Sequence, residues 1–356
     1  MKKLNIFMSR LKYGGMELSL INFINKTNLT KNYEVNLYLV YVLDKELLKL
    51  IDCKVNIHIL TTGKWNFYNK LIAAMKLLKM KIIVPKSDIS ICYSNHQKIL
   101  SKLARQSSVN SILFVHSDLN RYENKQDQQK IKNKIEFNKF KKVICVSEKV
   151  KESLINLYGE LIENKCYVIP NYVDGEKILL LSKEKIVEDI NFNVPTFISI
   201  ANHVEEYKNI FSIIDAAYKL KKEDFKFQIL LIGSGKDTLS YINKIKELKL
   251  ERYIKLLGSK SNPYPYLKNS KALLFTSKYE GYGMVLDEAR VLKIPIISFG
   301  SGASNEICND GYGIITSDLA SEMIKIINND NNLVSKSFDY LKYNDGIRKK
   351  YERILN

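Results

Sequence analysis

The feature that most constrains the fold is an alternation carried from end to end: short apolar, β-branched runs separated by longer stretches with helical spacing. The first series of runs occupies 4–9 (LNIFMS), 35–42 (VNLYLVYV), 55–60, 89–94 (ISICYS), 111–117, 142–147 (KVICVS) and 166–170. A second series follows at 195–201, 227–233 (FQILLIG), 253–258, 272–277 (ALLFTS) and 295–300. Most of these runs are continuous and apolar rather than alternating, as strands buried on both faces of a parallel sheet are. Two series predict two doubly wound α/β domains facing a central cleft: residues 1–172, residues 173–340, and a closing helix at 341–356 that packs back toward the first domain. Pro170 and the KEKIVED cluster mark a linker near 171–194. Ligands of such sheets bind outside the carboxyl ends of the strands, so the loops that follow the strands are where chemistry is to be sought.

Composition agrees with this reading. A chain of 356 residues exceeds one ordinary core, and 46% hydrophobic with 26% charged residues excludes a disordered chain. No apolar run reaches the ~18 residues of a membrane-spanning helix. The N-terminus opens with two lysines like a signal peptide, but its apolar stretch breaks at Ser9-Arg10, so a soluble cytoplasmic protein is expected. The net charge of +18 is unevenly divided. Residues 1–172 hold 29 basic and 14 acidic side chains and the rest 27 and 24, which points to an anionic partner for the first half. The cysteines, Cys53, Cys92, Cys145, Cys166 and Cys308, form no C-x-x-C pair and sit mostly in strand-like runs, against structural zinc or a disulfide framework.

Three loops are candidates for chemistry. After the first run, Gly14-Gly15 precedes a helix start whose free N–H groups suit an anion, although neither a dinucleotide fingerprint nor a P-loop is present. After the 195–201 run, a polar loop with Asn202 and His203 leads to Lys208 at a helix entrance. Taken alone, a glycine pair or an exposed lysine is ordinary surface. The third loop is more specific. Glu280 precedes Gly281-Tyr282-Gly283 and a helix beginning near Met284, and Glu288 lies one to two turns into that helix. A carboxylate accepts two hydrogen bonds from a vicinal diol, and the N–H groups of Gly283, Met284 and Val285 at the helix start suit a phosphate. Diol, phosphate, diol is the layout of a nucleotide sugar.

Glu280 and Glu288, with seven residues between them, resemble the E-x7-E motif of the retaining GT-B glycosyltransferases of family 4. The resemblance runs through nearly the whole chain: Gly14-Gly15-Met16-Glu17 is similar to the family's GG-x-E loop, VIPNYVD (168–174) to its interdomain sequence, and NPYPYLKNSKALLFTSKYEGYGMVLDEA with the later SNEI to its donor-binding half. It implies two Rossmann-like domains and a role for each matching residue. Glu288 holds the ribose and Glu280 the transferred sugar. Lys208 binds the diphosphate, Gly15 lets its loop close on the phosphates, and Asn171 and Glu306 fill the family's donor-side positions. His116 faces the sugar from the first domain, and His96 ends a neighbouring run. The family's usual arginine six positions before the lysine is replaced by Asn202, which brings no charge; Arg10 or Lys12 are the candidates for a replacement cation. No D-x-D triplet occurs, so no divalent metal and no cofactor is expected. The expected activity is transfer of a hexose-type sugar from a nucleoside diphosphate donor, UDP above all, with retention at the anomeric carbon.

The acceptor is expected at the basic first domain. Between Asp52 and Asp88 there are seven lysines and no acidic residue. Helical spacing places Phe67, Tyr68, Leu71, Ile72, Met75 and Leu78 on one face, in a stretch containing Lys64, Trp65, Lys70, Lys76, Lys79 and Lys81. Such a helix either faces the domain's own core or lies on an anionic membrane. With the charge of that half, a lipid-linked or glycan acceptor of bacterial surface polysaccharide or capsule synthesis is expected, the enzyme working as a peripheral protein at the inner face of the plasma membrane. Two other classes stay open: a nucleotide-sugar epimerase of the same fold, and a basic nucleic-acid-binding protein. The latter leaves the glutamate pair idle and has no recognised binding motif, so no nucleic acid is expected as a partner.

Overall fold

A computed structural model describes every residue except 13, 63–66, 83, 95–97, 123 and 330–335, together with the backbone but not the side chains of 67, 70, 81, 82 and 134. The chain divides into two compact units, one of residues 1–172 with 344–356 and the other of residues 173–343.

The first unit is built on a seven-stranded parallel sheet: β1 (Lys2–Leu11), β2 (Tyr33–Val42), β3 (Asn56–Thr62), β4 (Ile89–Cys92), β5 (Ser111–Val115), β6 (Lys142–Cys145) and β7 (Cys166–Val168), in the order β3-β2-β1-β4-β5-β6-β7. The central strands are buried along their length, β4 and β5 without an exposed residue, because helices cover both faces. Phe23, Tyr93 and Phe114 form the aromatic centre of this core, and Tyr351 from the C-terminal helix Tyr340–Leu355 packs 4.7 Å from Phe23.

The second unit carries β8 (Thr196–Ile200), β9 (Gln228–Ile232), β10 (Ile254–Gly258), β11 (Ala272–Phe275), β12 (Ile296–Ser298) and β13 (Gly313–Ile315), in the order β10-β9-β8-β11-β12-β13, again parallel. Its core joins Phe197, Ile229, Leu231 and Leu274 of the sheet to Ile213, Ile214, Ala217 and Leu220 of the helix Phe211–Lys222. Strand order reverses beside β1 and β4 in the first sheet and beside β8 and β11 in the second. At such a reversal, adjacent strands send their following loops to opposite faces and leave an open crevice.

The stretch expected to be a linker is largely part of the second unit. Residues 175–181 form a helix, capped by the Asp174 side chain, that packs on the helices Tyr264–Lys268 and Met284–Val291. Glu188, inside the charge cluster, pairs with Lys260 and accepts the Tyr266 hydroxyl, so the cluster is anchored to the unit. Those two donors hold its carboxyl down at about 2.

Candidate functional site

In the second unit the strand-order reversal brings together two loops far apart in sequence. β8 pairs directly with β11, Phe197 opposite Ala272 and Ile198 opposite Leu273. The loop after β8 ends in a four-residue helix, Glu205–Lys208, and the loop after β11 runs through Thr276 and Ser277, both buried. Hydrogen bonds to main-chain carbonyls stitch the loops: Thr276 Oγ1 donates to the Lys208 carbonyl at 2.9 Å, and the Lys278 N–H to the Tyr207 carbonyl at 2.8 Å. Lys208 and Glu280, 72 residues apart, form an ion pair with only 19% and 22% of their side chains exposed. Ser277 Oγ lies 3.4 Å from the same carboxylate.

Beyond Glu280 the chain enters the helix Met284–Val291 through Gly283, whose φ of 91° is the left-handed conformation that favours glycine. A Cβ there would stand 2.8 Å from the Phe275 ring. The helix presents its first N–H groups, those of Met284 and Val285, with no acceptor inside the helix and the positive end of the dipole behind them. Glu288 follows on this helix, half-buried, with the Tyr264 hydroxyl 3.3 Å from Oε1. Burial pushes its carboxyl up to about 7; the neighbouring Asp287 adds to the rise and Tyr264 opposes it.

Asp287 points the other way. It accepts the Tyr282 hydroxyl at 2.7 Å and pairs with buried Arg290, whose guanidinium lies over Phe338, Tyr343 and Tyr312. This buried network fixes the helix that carries Glu288 and ties it to Tyr282 in the loop after Glu280.

In the first unit, Gly15 opens the helix Gly15–Lys26, following β1 at the reversal of that sheet. Ser19, one turn in, donates to Asn171 Oδ1 at 2.5 Å and shares a 2.8 Å hydrogen bond with the Tyr93 hydroxyl at the end of β4. The Tyr93 ring packs 4.6 Å from His116 just past β5. Asn171, Ser19, Tyr93 and His116 are therefore linked at the carboxyl end of the sheet, and exposed Gly15 opens the helix that brings Ser19 there. Glu17 in the first turn of the same helix is buried 3.9 Å from Arg10, and burial raises its carboxyl.

Two family models account for the chain between them: Glycosyltransferase Family 4 matches residues 14–177 and Glycosyl transferases group 1 matches residues 182–337. The chain belongs to the family 4 glycosyltransferases. A Campylobacter jejuni N-acetylgalactosamine-N,N'-diacetylbacillosaminyl-diphospho-undecaprenol 4-alpha-N-acetylgalactosaminyltransferase is 26% identical over 88% of this chain and 86% of its own. A poly(ribitol-phosphate) alpha-N-acetylglucosaminyltransferase of Staphylococcus aureus is 29% identical over 75% of this chain, which spans only about half of that relative, 54%. The Anabaena protein HepE, solved with UDP and glucose, superposes with a TM-score of 0.73 over 99% of this chain and all of its own at 18% identity, which places the glycosyltransferase in the GT-B fold.

The remaining expected residues of this glycosyltransferase fall variously. Asn202 is exposed at the end of β8, its carbonyl accepting the Val204 N–H at 2.9 Å. His203 beside it is a strut: buried, with Nδ1 2.9 Å from Thr238 Oγ1, and held below its ordinary pKa by that burial. Glu306 lies on the short helix Ser304–Ile307, and Gly281 directly precedes Tyr282. Arg10 and Lys12 are exposed in the first unit. Lys76 and Lys79 are exposed on the helix Phe67–Ile82; Lys64, Trp65 and His96 lie outside the described residues, as do the side chains of Lys70 and Lys81.

Two contributors were missed by sequence reasoning. Tyr264 reaches Glu288 from a separate helix, and its only signal was the NPYPYL stretch. Gly302, at φ 59°, lies against the glutamate loop: a Cβ there would come 2.6 Å from the Tyr282 carbonyl and 3.1 Å from Glu280 Cβ. The adjacent Ala303 N–H binds that carbonyl at 2.9 Å. The Gly-rich string after β12 was visible, but not what it presses on.

Proposed function

We propose that this enzyme transfers a hexose-type sugar from a nucleoside diphosphate donor, UDP the favoured nucleotide, to a glycan or lipid-linked acceptor in bacterial surface polysaccharide synthesis, with retention at the anomeric carbon. The observation that carries the reading is the Lys208–Glu280 pair at the β8/β11 reversal, one residue cationic and one anionic, with Glu288 and a helix N-terminus on the same segment. The relatives named for transfer to poly(ribitol-phosphate) and to a diphospho-undecaprenol support the acceptor class, and HepE's UDP and glucose support the donor.

On this reading, Glu288 accepts the ribose hydroxyls and Glu280 those of the transferred sugar. The diphosphate competes with Glu280 for the Lys208 ammonium and receives the N–H groups of Met284 and Val285. As the bond from the anomeric carbon to the diphosphate breaks, negative charge grows on the leaving oxygen. A half-buried lysine and a preoriented helix end stabilise that charge without solvent rearrangement. The role of the family's arginine falls to these groups, since Asn202 brings none. Departure and attack take place on the same face of the sugar and need no metal ion. Gly15, Asn171 and His116 keep the family roles stated above.

A panel of UDP, GDP and ADP sugars scored by thermal shift and by hydrolysis tests the reading. One donor is expected to stabilise the protein and be turned over. Glu280→Ala is expected to lower transfer by about 10²-fold or more, as loss of a group acting in the transition state does. A variant that keeps wild-type turnover overturns the assignment of Glu280. Conversion of the donor's sugar with no acceptor present would indicate the epimerase instead.

A further inference from the structure

The helix Phe67–Ile82 of the first unit has two unlike faces. Ala73 and Leu77 are buried where the helix packs on β2 and β3. At 100° per residue the opposite arc holds Tyr68, Leu71, Met75 and Leu78. These four are 68%, 49%, 55% and 57% exposed, so the stripe that helical spacing groups together faces outward. Lys79 borders it, exposed, and Lys76 flanks it with Nζ 2.5 Å from the Leu60 carbonyl. Between Asp52 and Asp88 the chain carries seven lysines and no acidic residue. Large apolar side chains gathered on one exposed helix face mark an interaction surface. Here the occupant must accept hydrocarbon and offer negative charge along the same line.

We propose that this helix lies in the plane of an anionic lipid surface, with Tyr68, Leu71, Met75 and Leu78 entering the headgroup–acyl boundary and Lys79 and Lys76 at its border meeting the headgroups. An acidic protein groove would match the charge, but the absence of acidic residues over so long a stretch fits an extended anionic sheet better than a discrete partner. Among the described residues no helix is long and apolar enough to cross a membrane, and in-plane docking needs none. The inference goes beyond the transfer reaction and is independent of the donor assignment.

Flotation of the full chain with phosphatidylglycerol/phosphatidylethanolamine vesicles, against phosphatidylcholine vesicles, tests it. Binding is expected to the anionic vesicles and to fall as salt rises through the range where surface charges are screened. The double variant Leu71→Ser/Leu78→Ser is expected to lose binding by about tenfold or more, since both side chains are then no longer available for burial. Lys79→Glu is expected to weaken binding at low salt only. Both side chains of the double variant are exposed, so its circular dichroism should match the wild type; if it does not, Lys79→Glu and the salt titration decide. Glu280→Ala is expected to float like the wild type, which separates this test from that of the donor site. Absence of binding to anionic vesicles, or equal binding by the double variant, overturns the proposal. Self-association that the double variant abolishes, without vesicle binding, reassigns the stripe to a second copy of the chain.

Discussion

Glu288 combines two demands that conflict. A residue that accepts hydrogen bonds from a diol works best ionised, yet its place on the 284–291 helix raises its carboxyl from 4.5 to about 7. The sign of the resulting pH dependence follows. Between these values the unfolded chain has released the proton that the folded chain still holds, so stability falls as pH rises through the window and levels off above it. Glu288→Gln carries no charge in either state. Its melting temperature is expected to match the wild type near pH 4 and exceed it at pH 8, by a margin equivalent to about 1–3 kcal/mol once residual solvent contact is allowed for. A gain of equal size at both pH values would show that the carboxyl does not titrate in this window. Donor affinity of the wild type should rise over the same range as the carboxylate forms, and the variant's should be low and flat. Tyr264 belongs to the same balance: its hydroxyl stabilises the ionised form, so Tyr264→Phe is expected to move the midpoint of that profile to higher pH.

At the scale of elements, the site is a contact between loops rather than a property of any one of them. Gly302 shows this best. It touches no expected ligand, yet its φ of 59° and its contact with the Tyr282 carbonyl fix how close the loop after β12 comes to Glu280. Gly302→Ala is expected to cost about 1–2 kcal/mol in stability. By displacing the Tyr282 segment it is also expected to lower transfer further than that loss alone would, seen as a fall in turnover at a temperature where the variant is fully folded. Unchanged turnover would free the Glu280 loop from dependence on this contact. Such contacts were hidden in the sequence for a physical reason. Most strands were legible because they are continuous apolar runs, and the Met284 helix because of the glycines before it. β13 was not: it is three residues long, begins at Gly313, and is defined by its register on β12, Ile297 opposite Ile314. The charge cluster at 183–189 looked like a linker because its anchors, Lys260 and Tyr266, lie more than 70 residues further on. The Lys208–Glu280 pair likewise comes from strand order, which places β11 next to β8.

At the scale of the whole molecule, the chain's return to its first unit matters for both charge and stability. With residues 344–356 included, that unit holds 33 basic and 16 acidic residues, a net +17, and the second unit holds 23 and 22. The near-neutral unit is the one that carries the carboxylate pair, while the basic unit carries the exposed apolar helix. The returning segment also completes the first unit's core. Ile347, Tyr351, Ile354 and Leu355 are all buried, Tyr351 stacks on Tyr172 and packs on Phe23, the Tyr33 hydroxyl donates to the Leu355 carbonyl at 3.1 Å, and Lys142 donates to that of Ile354. Four such side chains, each worth about 1.5–3 kcal/mol when buried, together stabilise by an amount on the order of a domain's entire net stability. Truncation after Tyr343 is therefore expected to unfold the first unit while leaving Arg290 and its aromatic neighbours, including Tyr343 itself, in place in the second. In calorimetry one transition should disappear or fall well below that of the full chain, and the other, that of the unit carrying Lys208, Glu280 and Glu288, should persist. If both transitions survive truncation at their original temperatures, the C-terminal helix is an accessory to the first unit and not part of its core.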